Sequence, residues 1–280
     1  MQQGSGGPAI YWVVGNGTDV GKTTVATALI KVLNARGQRT IGFKPYAASL
    51  LHTIIDFMVE KYPKVPCKLF GNDAWELTMA SPLTGPEMID LVAPVQLLCY
   101  PNWQSAILVR SGSFLLDNVE YLCSDNGAAL RERTDFQALA RVTGFPLGEA
   151  VVRNGLGLDE TAHLSPEKPK QAFGRLLELG VDAVVCEGAG GWLPVWQDCP
   201  VANHVLEVAD GRVLFCPDLD FGLPFDPTNA GQGWESLAAA LNAPDRPTVS
   251  SPLYLAEAGR RAEMAQRIVK GLLAKASPRS

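Results

Sequence analysis

The sequence lacks the features that mark several classes of protein. Its six cysteines are far apart and include no Cys-x-x-Cys pair, which favours buried reduced thiols over disulfides or a zinc site. No uninterrupted apolar stretch approaches the roughly 20 residues that cross a bilayer. Lysine and arginine number 24 against 29 acidic residues and form no basic stripe. The composition therefore argues against membrane insertion and against general affinity for nucleic acid.

Two further absences concern the amino terminus and the histidines. Residues 1–8 have neither a basic region nor an apolar core, so we expect a flexible leader, no signal peptide and a cytoplasmic protein. The histidines, His52, His163 and His204, have neither metal-ligand spacing nor a nucleophile motif beside them, and we interpret them as core or surface residues. No linker divides the rest, so we expect residues 9–280 to form a single domain.

A glycine-rich loop near the start of the chain is the strongest motif present. It follows an apolar, strand-like run, residues 10–14, and precedes apolar residues at helical spacing that continue to Gly37. Strand, glycine loop and helix in this order predict a phosphate-binding loop. The loop consists of Gly15, Asn16, Gly17, Thr18, Asp19, Val20, Gly21, Lys22, Thr23 and Thr24.

The residue types of the loop suit an anion. Glycines let backbone N–H groups face phosphate oxygens, and the following helix adds its partial positive charge. Lys22 can reach the terminal phosphates, and the Thr23 hydroxyl can hold Mg²⁺. The spacing is that of a variant loop, because Asn16 stands where the standard motif has glycine and Gly15 lies one residue further out.

Charged residues end two later strand-like runs. Lys44 follows residues 39–43, and Glu187 follows residues 181–186 and precedes glycines. Ligands bind at the carboxyl ends of parallel strands, so both side chains are candidates for the phosphate site. Strands alternate with helices along the chain. The pattern predicts an α/β fold of the P-loop NTPase type, with three layers and a mostly parallel central sheet covered by helices on both faces.

The least legible region is residues 95–160, which we interpret as an insertion of a hairpin and a helix into the domain. Helical patterns are also predicted over residues 50–62 and 234–241, and short strands over residues 212–216 and 248–250.

Four short segments resemble the dethiobiotin synthetases, a family in the P-loop group that also contains the cobyrinate diamide synthases and the MinD/ParA ATPases. Aligned on Gly-Lys-Thr, the loop matches the family at its first glycine, its second threonine and Val-Gly-Lys-Thr. The matching segments are Gly15 to Thr23, Lys44-Pro45, Asn72-Asp73-Ala74 and Glu187-Gly188-Ala189-Gly190-Gly191-Trp192.

The resemblance implies ATP and Mg²⁺ as cofactors. It implies that Thr23, Asp73 and Glu187 hold the metal and that Lys22, Lys44 and Thr18 act in catalysis. The nucleotide would contact the loop and the residues Glu187, Gly188, Ala189 and Gly190. The implied reaction is ATP-dependent carboxylation and ring closure, in which a diamine and CO₂ or bicarbonate form a cyclic urea through a phosphorylated carbamate. A homodimer is also implied.

The chain departs from the family at segments near the substrate. It has Tyr46-Ala47-Ala48 where the family has a small residue and then serine, and it has residues 217–224 where the family has a glycine-rich Asn-His segment. Two alternatives therefore stay open: an ATP-dependent ligase for another amine or carboxylate, and a nucleotide-binding partner or scaffold protein without catalysis. A MinD-type switch is disfavoured, because Gly17 stands where those ATPases carry a second lysine.

Overall fold

The computed structural model describes most of the chain. The described residues are 7–15, 17–50, 53–54, 57, 69–99, 106–123, 137, 151–152, 165–191, 193–209, 211–219, 221, 237, 241, 249–252 and 261–276.

Among these residues the helices are α1 (Lys22–Ala35), α2 (Asn72–Ala80), α3 (Ile89–Val92), α4 (Glu167–Leu177) and α5 (Arg261–Ala276). The strands are β1 (Ala9–Val14), β2 (Thr40–Phe43), β3 (Tyr46–Leu50), β4 (Val95–Cys99), β5 (Ala106–Ser111), β6 (Glu120–Cys123), β7 (Val151–Val152), β8 (Ala183–Glu187), β9 (His204–Ala209), β10 (Arg212–Cys216) and β11 (Val249–Pro252). No described helix combines the length and the hydropathy needed to span a membrane.

A six-stranded sheet forms the centre of the fold, in the order β11-β10-β9-β1-β8-β2. Strand β1 pairs in parallel with β8 and β9, and β8 pairs in parallel with β2. Strand β10 runs antiparallel to both β9 and β11. The carboxyl ends of β2, β8, β1 and β9 therefore lie along one edge, which we call the loop edge because the glycine loop leaves β1 there.

Alternate residues of β1 enter two separate cores, as the two-residue period of a strand requires. Trp12 packs on one face with Phe173 of α4 and with residues of the second sheet described below. Val13 packs on the other face with Leu29 of α1 and Leu272 of α5. Helices thus cover both faces of a mostly parallel sheet, and the predicted α/β fold of P-loop type is confirmed.

A second sheet has the order β3-β4-β5-β6-β7. Strand β3 follows β2 after Lys44 and Pro45 alone, so the chain passes directly from the edge of one sheet to the edge of the other. Strands β4 to β7 fall within residues 95–160. That these residues are an insertion into a single domain stays a prediction.

The local patterns predicted most of the described elements near the loop edge. Strands β1, β2, β8 and β10 and helix α1 lie within two residues of their expected bounds. Strands β3, β4 and β9 were not expected. Most of the helices predicted over residues 50–62 and 234–241, and residues 1–6 of the leader, lie outside the described residues.

In the described part of the chain, Cys99, Cys123, Cys186 and Cys216 are buried and Cys199 is half-buried. The sixth, Cys67, lies outside the described residues.

Gly42 gives a direct test of this packing. A Cβ atom at Gly42 of β2 would lie 2.9 Å from Cβ of Leu77 in α2 and 3.0 Å from Cδ1 of Ile30 in α1. We expect Gly42→Ala to lower the free energy of unfolding by about 2 kcal/mol, because both helices must move away from the strand. Urea denaturation measures the change.

The matched control is Gly174→Ala in α4, where a Cβ would meet no heavy atom within 4 Å. This substitution should raise the free energy of unfolding by about 0.5 to 1 kcal/mol, because alanine loses less backbone entropy in a helix. Equal effects of the two substitutions would contradict the described contact between β2 and its helices.

Candidate functional site

The strand order brings the predicted site residues to one place. Strands β1, β8 and β2 are neighbours, so the glycine loop, Glu187 and Lys44 leave adjacent carboxyl ends at the loop edge. Helix α2 packs against α1 and β2 and begins at Asn72, which places Asp73 in its first turn beside them. Residues far apart in the sequence therefore share one site.

The loop is tightly wound between β1 and α1. The φ angles are 148° at Gly17, 58° at Asp19 and 99° at Gly21, all in the left-handed range. Gly15 lies so close to β9 that a Cβ atom there would be 2.4 Å from the Val208 carbonyl oxygen. A side chain at position 15 would push the loop away from the sheet. Asn16 lies outside the described residues.

Lys22 joins this loop to the segment after β8. Its ammonium donates hydrogen bonds to the carbonyls of Gly17 and Gly190, the latter at 2.7 Å. The Gly188 N–H donates to the Val13 carbonyl at 3.1 Å. The side chain is 5% exposed, and burial lowers its pKa, although Glu187 opposes that change. The two glycine-containing segments are thus held against each other.

Four side chains converge beside the start of α1. The Lys44 ammonium contacts Asp73 Oδ2 at 2.5 Å and Glu187 Oε1 at 2.7 Å. The Thr23 hydroxyl lies 3.0 Å from Asp73 Oδ1 and 2.8 Å from Glu187 Oε1. The hydroxyl and the ammonium thus contact the same two carboxylates, and we call these four residues the cation cluster.

Burial and charge set the protonation of the cluster. Burial alone lowers the pKa of Lys44, but attraction to Asp73 and Glu187 outweighs it, and that pKa is raised. Burial raises the pKa of Glu187, although the Lys44 ammonium opposes the change. For Asp73 burial acts upward, but Lys44 and the Thr23 hydroxyl outweigh it and lower the pKa. Lys44 therefore stays cationic, and Asp73 is the more readily ionised carboxylate.

The cation cluster fits a magnesium ion in its donor chemistry. Mg²⁺ prefers oxygen ligands, and the cluster offers one hydroxyl and two carboxylates. Glu187 is 1% exposed, and its Oε2 atom has no hydrogen-bond partner among the described residues. A buried carboxylate oxygen without a donor is costly unless a cation or water approaches it. The residues present therefore suit the metal that the resemblance implies.

A cavity of about 690 Å³ opens beside the loop and the cluster. Its described lining comprises Thr18, Asp19, Gly21, Lys22, Thr23, Thr24, Lys44, Ala48, Ser49, Leu50, Thr53, Ile54, Phe57, Asn72, Asp73, Glu187, Ala189, Gly190 and Gly191. One side is polar and belongs to the loop and the cluster. The other side is mostly apolar and consists of Ala48, Ser49, Leu50, Thr53, Ile54 and Phe57.

Most of the predicted site residues share this cavity. Four of the described ones do not line it: Val20 packs against the core that contains α1, Gly188 bonds to β1, and Gly15 and Gly17 belong to the turn of the loop. Ala48 belongs to a segment that departs from the resembling family near the substrate, whereas Ser49, Leu50, Thr53, Ile54 and Phe57 were not predicted as site residues. A cavity wall of ordinary apolar residues leaves no signal in spacing or residue type.

The segment that replaces the family's Asn-His motif lies elsewhere. Because β10 is antiparallel to β9, residues after Cys216 emerge at the edge opposite the loop edge. There the Leu219 N–H donates to the Asn203 carbonyl, and Phe221 pairs with Ala202. Residues 217–219 and 221 therefore do not line the described cavity.

Removing the Lys44 ammonium from the cation cluster should greatly lower the free energy of unfolding. Lys44→Met leaves Glu187 and Asp73 facing each other without the ammonium between them. We expect a loss of about 3 kcal/mol in the free energy of unfolding, measured by urea denaturation without added magnesium. The exposed Lys31→Met in α1 is the control and should change stability by less than about 0.5 kcal/mol.

The double variant Lys44→Met/Glu187→Gln should recover part of the loss, because it removes the uncompensated buried charge. A Lys44→Met protein as stable as the Lys31→Met protein would show that the cluster is not a buried ion pair.

Comparison with known proteins gives local and distant similarity. No family model matches the chain. The ATP-dependent dethiobiotin synthetase of Xanthomonas euvesicatoria pv. vesicatoria is 50% identical over 46 residues, 16% of this chain and 20% of that protein. The same-named protein of Vibrio campbellii is 47% identical over 38 residues, 14% of this chain and 17% of that protein.

A longer match is to ATP-dependent dethiobiotin synthetase BioD 1 of Escherichia coli, 26% identical over 188 residues. That alignment covers 67% of this chain and 55% of the Escherichia coli protein. The chain thus spans about a fifth of the length of the Xanthomonas and Vibrio relatives and about half of the Escherichia coli one. It is similar to dethiobiotin synthetases and diverges from them.

Proposed function

We propose that the protein is an ATP- and Mg²⁺-dependent ligase that forms a cyclic urea from a diamine and CO₂. The observation that carries the proposal is the meeting of Lys22, Thr23, Lys44, Asp73 and Glu187 at one cavity beside a phosphate-type loop. The similarity to proteins named ATP-dependent dethiobiotin synthetase supports the same activity.

The loop serves to bind the triphosphate. The start of α1 presents unpaired N–H groups and a partial positive charge to the cavity. Lys22 and Lys44 bring two further positive charges to its wall. Phosphoryl transfer depends chiefly on positioning and on stabilising charge, so these groups supply what the step needs from the protein.

The proposed reaction balances without a protein nucleophile. One amine nitrogen adds to CO₂ and loses a proton, which gives a carbamate. The carbamate oxygen takes the γ-phosphoryl group and ADP leaves; the second amine then attacks the carbonyl carbon and phosphate leaves. Lys44 and Lys22 orient and neutralise the anionic oxygens, and Thr18 offers its hydroxyl at the cavity wall.

Thr23, Asp73 and Glu187 would hold the metal. Bound with the nucleotide, Mg²⁺ neutralises phosphate charge during transfer. The apolar residues of the cavity wall, Leu50, Ile54 and Phe57, would limit the access of water to a mixed anhydride and so slow its hydrolysis.

A ligase acting on another amine or on a carboxylate is the second candidate. Ala48 lines the cavity where the resembling family has a serine, so a hydroxyl partner for substrate is missing at that position. A substrate group left without its hydrogen-bond donor typically costs a few kcal/mol, about a hundredfold in affinity. The nucleotide side and the substrate side of the cavity would then have diverged separately.

Nucleotide binding can be tested at Lys22. We expect Lys22→Ala to weaken binding of Mg-ATP at least about tenfold, because a charge-assisted contact to phosphate is lost. Isothermal titration calorimetry gives the affinities. Lys31→Ala, an exposed lysine of the same helix, is the control and should bind as the unaltered protein does. Equal affinity of both variants would exclude the loop as the ATP site.

Turnover can be tested by phosphate release. We expect release to require both a diamine and bicarbonate, with diaminononanoate as the first substrate to try, and mass spectrometry should find a cyclic urea. Dependence on a different amine or on a carboxylate would favour the second candidate. ATP binding with no release on any amine or carboxylate would contradict a ligase and favour a scaffold role.

A further inference from the structure

Two buried polar side chains lie opposite each other in the second sheet. Gln96 of β4 and Arg110 of β5 are ladder partners, so their side chains share one face. Both residues are fully buried, with 0% of their surface exposed. Their neighbours Leu97 and Val109 belong to the apolar core. Burying a guanidinium is costly unless all its N–H groups are paired, so the presence of a buried arginine here needs a physical explanation.

Arg110 donates to main-chain carbonyls of separate segments. Its Nε lies 2.8 Å from the oxygen of Leu69, and its Nη2 lies 2.5 Å from that of Ala93. Its Nη1 lies 2.6 Å from the oxygen of Gly112 and 3.3 Å from that of Pro94. A planar guanidinium holds such partners at fixed angles, which the single ammonium of lysine cannot do.

Gln96 contacts the same segment as Arg110, the residues that precede α2, at a point closer to the start of that helix. Its Oε1 accepts the Gly71 N–H at 3.0 Å, and its Nε2 donates to Ser49 Oγ at 3.3 Å. Gly71 immediately precedes α2, and Leu69 lies two residues before it. Gln96 and Arg110 together fix the chain as it enters the helix whose first turn carries Asp73.

The other end of Arg110 fixes the segment that supports Lys44. Ala93 and Pro94 follow α3 directly, and the carbonyl of Val92, the last residue of α3, accepts the Lys44 N–H at 2.8 Å. One guanidinium therefore ties the backbone that carries Asp73 to the backbone that holds Lys44. The side chains of those two residues meet at 2.5 Å in the cation cluster.

We propose that Arg110 and Gln96 are positioning residues that hold Asp73 in register with Lys44, Thr23 and Glu187 and so set the affinity of the site for Mg²⁺. The inference rests on the proposed function. Neither side chain lines the cavity, and both act through the backbone at Leu69, Gly71 and Ala93. Two residues of the second sheet thereby influence metal binding at the loop edge of the six-stranded sheet.

The test is the magnesium dependence of nucleotide binding in Arg110→Met and Gln96→Leu. Calorimetry with a non-hydrolysable ATP analogue gives affinity without magnesium and across a magnesium titration. We expect affinity without magnesium to change less than about twofold, since the loop keeps its contacts. The half-saturating magnesium concentration should rise about tenfold or more, as for other residues that orient metal ligands. Arg110→Lys should also raise the half-saturating magnesium concentration, because an ammonium keeps the charge but does not reproduce the planar arrangement of N–H donors of the guanidinium.

The stability control is Asn34→Ala. This side chain donates to the carbonyls of Ile30 and Thr40 and accepts the Thr40 N–H, all at the far end of α1 from the loop. Its loss should lower the melting temperature without changing the magnesium dependence. Circular dichroism and thermal melting establish which variants are folded.

The outcomes separate this proposal from the proposed function. Failure of the unaltered protein to bind the analogue would overturn the function. Binding by the unaltered protein, with an unchanged magnesium dependence in folded Arg110→Met or Gln96→Leu, would overturn the positioning role alone. If Arg110→Met does not fold, Gln96→Leu decides, because its loss removes one backbone contact to Gly71 and leaves the guanidinium in place. A change in the half-saturating magnesium concentration of Arg110→Met or Gln96→Leu that only equals the change in Asn34→Ala would also overturn the positioning role.

Discussion

The ammonium of Lys44 holds two carboxylates together at the loop edge, with contacts of 2.5 Å to Asp73 and 2.7 Å to Glu187. The positions of the strands and helices bring these three side chains together. Adjacent parallel strands bring Lys44 and Glu187 side by side, α2 brings Asp73, and the second sheet holds the segments on which Lys44 and Asp73 depend. Like charges so close repel strongly in a buried setting, so a cation must stand between them. In the described structure that cation is the ammonium of Lys44.

Local sequence patterns predicted the elements whose signal lies within a few residues. The apolar runs before Gly15 and Glu187 are buried strands, and the helical spacing after the loop is α1. Strand β9 was missed because its alternating residues are few and one of its two partners, β1, lies almost two hundred residues earlier. The pairing of β3 with β4 depends on contacts that no local pattern records. The reversed direction of β10 does have a local signal that was not recognised, because an Asp-Gly pair, typical of a two-residue hairpin turn, separates β9 from β10 in the sequence.

Some residues of the candidate site likewise have a local sequence signal, and others have none. Loop residues such as Lys22 and Thr23 follow from glycine placement and helix start, whereas Asp73 was singled out by resemblance alone, since an aspartate at a helix start is usually a cap. The structure brings its carboxylate within 3.0 Å of the Thr23 hydroxyl. The apolar cavity wall gave no signal. Arg110 did give a signal, because a charged residue directly follows the apolar run of β5, but its partners lie in segments that only the folded chain brings near.

We infer that the loop and the cation cluster form one site for a nucleotide and a divalent cation. The most direct measurement is a crystal structure with a non-hydrolysable ATP analogue and Mn²⁺ in place of Mg²⁺, with the metal located by its anomalous scattering. We expect one anomalous peak beside the Thr23 hydroxyl, with Asp73 and Glu187 near enough to bind the metal directly or through water. We expect the phosphates at the N-terminus of α1. A metal peak away from these three residues, or a nucleotide bound with its phosphates off the loop, would contradict this inference.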